Sequence, residues 1–157
     1  MKRIVIGKPE IQKENEMVKL ISHISGDFVN KDLYFEVEEK YELLLCKERI
    51  DAFFVALIPY LLYRSEEQEK LLVCCEAPLS QKLFYQVTQL LFPALSHSID
   101  YFHNIEIESE LENSIYERFK KGAATGVSGG VDSFYTLEKS RKEYDKEYKV
   151  RYGFFGN

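Results

Sequence analysis

The chain has 157 residues, 45% of them hydrophobic and 14% aromatic, with a net charge of −5. That is enough apolar material to bury a core in one or two ordinary domains, and the scatter of Lys and Arg among Asp and Glu argues against a dedicated nucleic-acid surface, which needs a clustered basic face. No window offers the roughly 18 continuous apolar residues of a membrane helix, and the apolar run in "MKRIVIGKPEIQKENE" is too short for a signal peptide, so the expectation is a cytoplasmic protein with no membrane partner.

Residues 3–7, "RIVIG", read as a short strand, followed by a polar turn around Lys8 and Pro9 and a charged stretch through Glu16. In "DLYFEVE", Leu33, Phe35 and Val37 share one face and Tyr34, Glu36 and Glu38 the other, the period-two pattern of a half-buried strand. "MVKLISHIS" alternates less cleanly but is placed to pair with that strand across Gly26 and Asp27. After Cys46 the period changes. Ile50, Phe53, Phe54, Leu57, Ile58 and Leu61 follow helical spacing, with Pro59 expected to kink or shorten the last turn. "KLLVCCEA" is the compact apolar run of a central strand, ended by Pro78.

Ser80 is placed to cap a second helix whose apolar face holds Leu83, Val87, Leu90, Leu91 and Ala94 until Pro93 and Ser96 weaken it. "SIDYFHNIEIE" returns to alternation, with Ile99, Tyr101, Ile105 and Ile107 on one side. Residues 1–110 therefore predict a compact α+β domain. Residues 111–122 predict a linker helix, with Lys120 and Lys121 in its last turn and Gly122 as its C-terminal cap. Cys46, Cys74 and Cys75 sit in apolar runs and read as reduced core thiols rather than a disulfide framework. His23, His97 and His103 lack the spacing of a metal site or a nucleophilic triad and read as surface or satisfied core residues.

From Ala123 onward the chain runs "AATGV", "SGGVDS", "FYTLEKSRKEY", a polar turn and "KVRYGFF", which is strand, glycine loop, helix and strand, one βαβ unit over residues 123–157. Gly129 and Gly130 are expected to take φ values a side chain would oppose and to let backbone amides approach a ligand. With a helix starting at about Asp132, several N–H groups and the positive end of the helix dipole converge on one spot, and phosphate is the natural occupant. Ser128 and Ser133 offer hydroxyl donors; Asp132 can cap the helix or help hold a magnesium ion through water. The pattern S-G-G-x-D-S arises by chance roughly once in several thousand chains of this size, and here it lies between an apolar strand and a helix, the context such a motif requires. The competing reading is a tight turn that favours glycine and serine and binds nothing.

"SGGVDS" resembles the pyrophosphate loop of the N-type ATP pyrophosphatases, the PP-loop or adenine nucleotide alpha hydrolase-like superfamily; a Walker loop would carry a lysine after the glycines, and none follows here. The resemblance implies a Rossmann-like α/β nucleotide domain, ATP and magnesium as ligands, and an ATP-dependent ligase or nucleotide-modifying enzyme. In such an enzyme a substrate oxygen attacks the α phosphorus, pyrophosphate leaves, and the adenylated intermediate is open to ammonia or a sulfur donor. By matching positions it implies Ser128, Gly129, Gly130, Val131, Asp132 and Ser133 as pyrophosphate binders. Ala124, Thr125, Gly126, Val127 and Phe155 are the adenine-side candidates.

The expected fold is thus an α+β N-terminal domain followed by the first βαβ unit of an adenine nucleotide alpha hydrolase-like domain. A βαβ unit takes about 30 residues, so residues 123–157 hold one and a doubly wound sheet needs more. The expectation is a truncated reading frame, a cut piece or one half of a split protein, with a second copy or a partner chain completing the sheet. The other functional class left open is a non-catalytic binding or assembly module with a vestigial or structural phosphate loop.

Overall fold

Alternating apolar residues at the N-terminus build the sheet that organises the first part of the chain. The computed structural model describes residues 1–65, 70–96, 105–114, 122–142 and 149–154, and the chain divides into two units, Met1–Ser114 and Ile115–Asn157. In the first unit, β1 (Lys2–Ile6) pairs antiparallel with the Ile24–Gly26 end of β3 (Met17–Gly26), and β2 (Glu10–Glu14) pairs with its Met17–Ile21 end. The expected polar turn at Lys8 and Pro9 is thus a break between two strand segments laid on one partner. The charged stretch after it is a strand, disguised in the sequence because only Ile11 of β2 turns inward and the other four residues are exposed. Asn15 and Glu16 join β2 to β3 with φ of 47° and 64°, the left-handed pair a tight hairpin turn demands.

β4 (Val29–Glu38) lies antiparallel to β3 along its whole length, from Met17 opposite Glu38 to Gly26 opposite Val29, as the alternation predicted. After a 3-10 helix at Glu39–Leu44, α1 (Asp51–Arg64) buries Phe53, Phe54, Ile58 and Leu61 beside Ile50. Pro59 does not shorten α1, which runs five residues further. It lies on the exposed side of the helix, where a carbonyl left without its N–H partner is open to solvent.

β5 (Leu71–Cys75) is parallel to β1 on one side and to β7 (Ile105–Glu108) on the other, the central position its apolar run predicted. β6 (Leu79–Ser80) leads into α2 (Gln81–Tyr85), where the Leu83 N–H donates to the Ser80 Oγ at 3.3 Å as a cap. A π-helical stretch, Gln86–Leu91, then joins α2 to α3 (Phe92–Ser96). Here the expected face changes. Val87 is buried, but Leu90 and Leu91 are 57% and 38% exposed, and Phe84 and Phe92 pack on the core instead. The wider turns, with the Phe92 N–H reaching back to the Val87 carbonyl, make room for the Pro93 ring and rotate later residues off the 3.6-residue spacing.

β8 (Leu111–Glu112), at the head of the segment read as a linker helix, pairs parallel with β6; residues 115–121 of that segment lie outside the described residues, as do 97–104 with Ile99, Tyr101, His97 and His103. The first unit is therefore α+β, a mixed sheet in the order β2-β3-β1-β5-β7 with β4 on β3. Its core lies on one sheet face, where Ile4, Ile6, Leu20, Ile24, Leu71 and Val73 meet α1 and Val87. Among the described residues no helix is long and apolar enough to cross a membrane.

In the second unit, β9 (Ala123–Gly126) and β10 (Val150–Phe154) form a parallel pair, and α4 (Val131–Arg141) lies between them in sequence. The order is the strand, glycine loop, helix and strand read from the sequence.

Candidate functional site

The loop starts where β9 ends. The Val127 N–H donates to the Phe154 carbonyl at 2.8 Å, which fixes the end of β9 against the end of β10, and the chain then turns through Ser128, Gly129 and Gly130 into α4. Gly129 has φ of +78°, a left-handed conformation that favours glycine. Gly130 differs from the expectation. It is the helix N-cap with φ −85° and ψ 173°, extended backbone open to any residue, and α4 begins at Val131. A Cβ on Gly130 would meet the Ser128 Oγ at 3.5 Å, an ordinary contact. Neither the backbone nor the packing of the loop therefore requires glycine at 130.

The two serines have different roles. Ser133 is 7% exposed. Its Oγ accepts the Ser128 N–H at 3.0 Å and lies 2.8 Å from the Ser128 Oγ, which in turn accepts the Gly130 N–H at 3.4 Å. A hydroxyl has one proton to donate and two lone pairs to accept with. With Ser133 donating to Ser128, the Ser128 hydroxyl keeps its own proton for a group outside the loop. Ser133, expected as a second donor to a ligand, is instead turned inward, where it fastens the loop to the first turn of α4.

The helical ladder opens with the Phe134 N–H on the Gly130 carbonyl at 3.2 Å. The N–H groups of Val131, Asp132 and Ser133 precede it and lack a helical acceptor, and they stand at the positive end of an 11-residue helix. Val131 is 85% exposed and offers the site only its backbone. Asp132 is not the cap, since the N-cap is Gly130 and no side chain fills that role; it is an exposed residue of the first turn. Among the described residues no group of three or more His, Cys, Asp or Glu could hold a metal ion. One carboxylate fits a magnesium ion only where phosphate oxygens and water complete its shell, the usual way that cation is held beside a nucleotide.

Of the adenine-side candidates, Ala124 and Gly126 are exposed, Thr125 and Val127 are half-buried, and Phe155 lies outside the described residues. Phe154, the residue before it and also an adenine-side candidate by the resemblance, is described. Phe154 is 61% exposed, and its ring lies 3.5 Å from where a Cβ of Gly126 would be, so an open aromatic face stands beside the loop. A separate groove of about 540 Å³, lined by Phe134 and Leu137 of α4 and by Lys149 and Val150, includes no residue of the loop.

Burial raises all three thiols, and Cys75 is pushed up to about 11; Cys74 is buried and Cys75 half-buried against the core, as expected of core thiols, whereas Cys46 is only half-buried. Comparison with protein families, with curated proteins and with solved structures finds no match to this chain.

Proposed function

We propose that the Ser128–Ser133 loop binds the phosphates of ATP with magnesium, and that the second unit belongs to a Rossmann-like nucleotide domain of the N-type ATP pyrophosphatase class. Such a domain adenylates a substrate and releases pyrophosphate. The observation that carries this reading is Gly130, a glycine in extended backbone with room for a side chain. A ligand pressed against the Gly130 amide gives the missing Cβ a reason. In this reading the N–H groups of Val131 to Ser133 bind phosphate oxygens, Ser128 donates its hydroxyl, Ser133 positions the loop, and Phe154 stands on the adenine side. Magnesium near Asp132 supplies charge compensation for the phosphates.

Asp132→Asn tests the magnesium role with a sign. In the presence of magnesium the variant is expected to bind ATP about three- to tenfold more weakly, the effect of a charged partner held through water. With the metal chelated it is expected to bind as well as the parent or better, because a carboxylate at that place repels phosphate. Isothermal titration with ATP checks both; equal weakening with and without magnesium would contradict the metal role.

A second reading, an assembly module with a structural loop, draws support from exposed apolar residues. Phe134, Tyr135, Tyr152 and Phe154 are 60–63% exposed, and among the described residues β9 and β10 pair only with each other. Exposed apolar surface and open strand edges favour a second copy or a partner chain that completes the sheet. The readings part on the nucleotide, since an assembly module gives no response to ATP.

A further inference from the structure

On the sheet face away from the core, the His23 ring of β3 is bonded at both nitrogens to side chains of β4. Its Nδ1 lies 2.7 Å from the Asp32 Oδ1, and its Nε2 lies 2.9 Å from the Asn30 Oδ1. Both partners are acceptors in this arrangement. A neutral imidazole has one N–H and satisfies one of them, whereas an imidazolium has two and satisfies both. Asp32 is directly opposite His23 in the β3–β4 register, and Asn30 is one step along the same face toward the turn. β4 is an edge strand, joined among the described strands only to β3, and the cluster sits at the end where Gly26 meets Val29.

We infer that His23, Asp32 and Asn30 form a proton-dependent clamp, which fastens the turn end of β4 to β3 when the ring carries both protons and loosens when it carries one. The other groups around the ring leave this pairing intact. On the same face are Ser25 and Ile21 of β3, Tyr34 of β4, and Glu10 of β2, which is in register with Ile21. Lys19, the cation on that face of β3, is paired with Glu14 and Glu36. Across β3 the Gly7 N–H holds the His23 backbone carbonyl at 2.9 Å, and a Glu76 carboxylate oxygen lies 3.6 Å from where a Gly7 Cβ would be; the carboxylate that acts on the ring is that of Asp32. The hydrogen bonds to Asp32, and then to Asn30, hold the His23 pKa above its ordinary 6.5. The sign follows from that direction. The contribution of the clamp is complete below the unfolded value of about 6.5 and is lost as pH rises through the higher folded midpoint.

An NMR titration of the three histidine rings in the whole chain, with amide exchange read across residues 29–32, tests the clamp. The expected result is a His23 midpoint above about 6.5, with protection of those amides, the intrinsic exchange rate at the same pH divided by the observed rate, about two- to fivefold greater below the midpoint than above it, the scale of one half-exposed ion pair. Asp32→Asn is expected to lower the midpoint and abolish the pH dependence of protection; Asn30→Ala is expected to lower the midpoint less. A midpoint at or below the ordinary value in the parent would overturn the inference. That is the result if the Asn30 amide presents its NH2 to a neutral ring. Protection of residues 29–32 that is indifferent to pH would overturn it as well.

Discussion

Gly130→Ala is expected to leave the fold intact and to weaken ATP binding about a hundredfold. The two halves of that expectation have separate causes. In the free protein the added Cβ enters extended backbone and touches only the Ser128 Oγ at 3.5 Å, and alanine in place of glycine at an N-cap costs under about 1 kcal/mol. In the proposed complex the same methyl would stand where phosphate must approach the amides. Moving the phosphate off two N–H groups costs about 3 kcal/mol at roughly 1.5 kcal/mol each, which is a factor of about 100 in affinity. Thermal melting and titration with ATP check the two halves. A variant that melts like the parent and still binds would remove the reason given for glycine at 130. One that unfolds would move that reason back into the protein.

Gly26→Ala is expected to destabilise the first unit by about 3 kcal/mol or more. Gly26 has φ of +145°, a conformation closed to other residues, and a Cβ there would press into the Arg3 carbonyl oxygen and lie 2.9 Å from the Ile4 Cα. Both neighbours are backbone of β1, so no side chain can swing aside. The clash falls where β1, β3 and the β3–β4 turn come together. There the Asp27 N–H donates to the Arg3 carbonyl at 3.1 Å and the Asp27 carboxylate accepts the Arg3 N–H at 2.6 Å. Relief by backbone shift would have to break both. Denaturant unfolding checks this expectation, and a loss under about 1 kcal/mol would contradict it.

The parts of the fold legible in the sequence are those where one physical signal acts alone. The β3–β4 hairpin, α1 and the central strand β5 follow from apolar periodicity, because each buries a single face or, for β5, nearly all of its length. β2 was hidden because an edge strand with one inward residue carries almost no pattern. The apolar face past Gln86 departs from the expected one because that spacing assumes 3.6 residues per turn, and Gln86–Leu91 is π-helical with wider turns. Pro59 does not end α1, because on an exposed helix side a proline removes one backbone bond and leaves the unpaired carbonyl open to solvent.

At the candidate site, composition marked the loop and its order along the chain, but not the division of labour within it. Gly129 and Gly130 look alike as letters, yet only Gly129 is held at positive φ. Ser128 and Ser133 look equivalent as donors, yet Ser133 is buried and tied to the loop. Those differences depend on where α4 begins, and a shift of one residue at a helix start exchanges a capping position for a first-turn position.

The central claim, that this loop binds the phosphates of ATP, is tested most directly by following backbone amide signals of the unaltered chain by NMR while ATP and magnesium are added. The account predicts saturable shifts that are largest at Gly129 to Phe134, with smaller ones at Phe154. Signals that do not move at saturating ATP, or that move only outside residues 124–134 and 154, would contradict it.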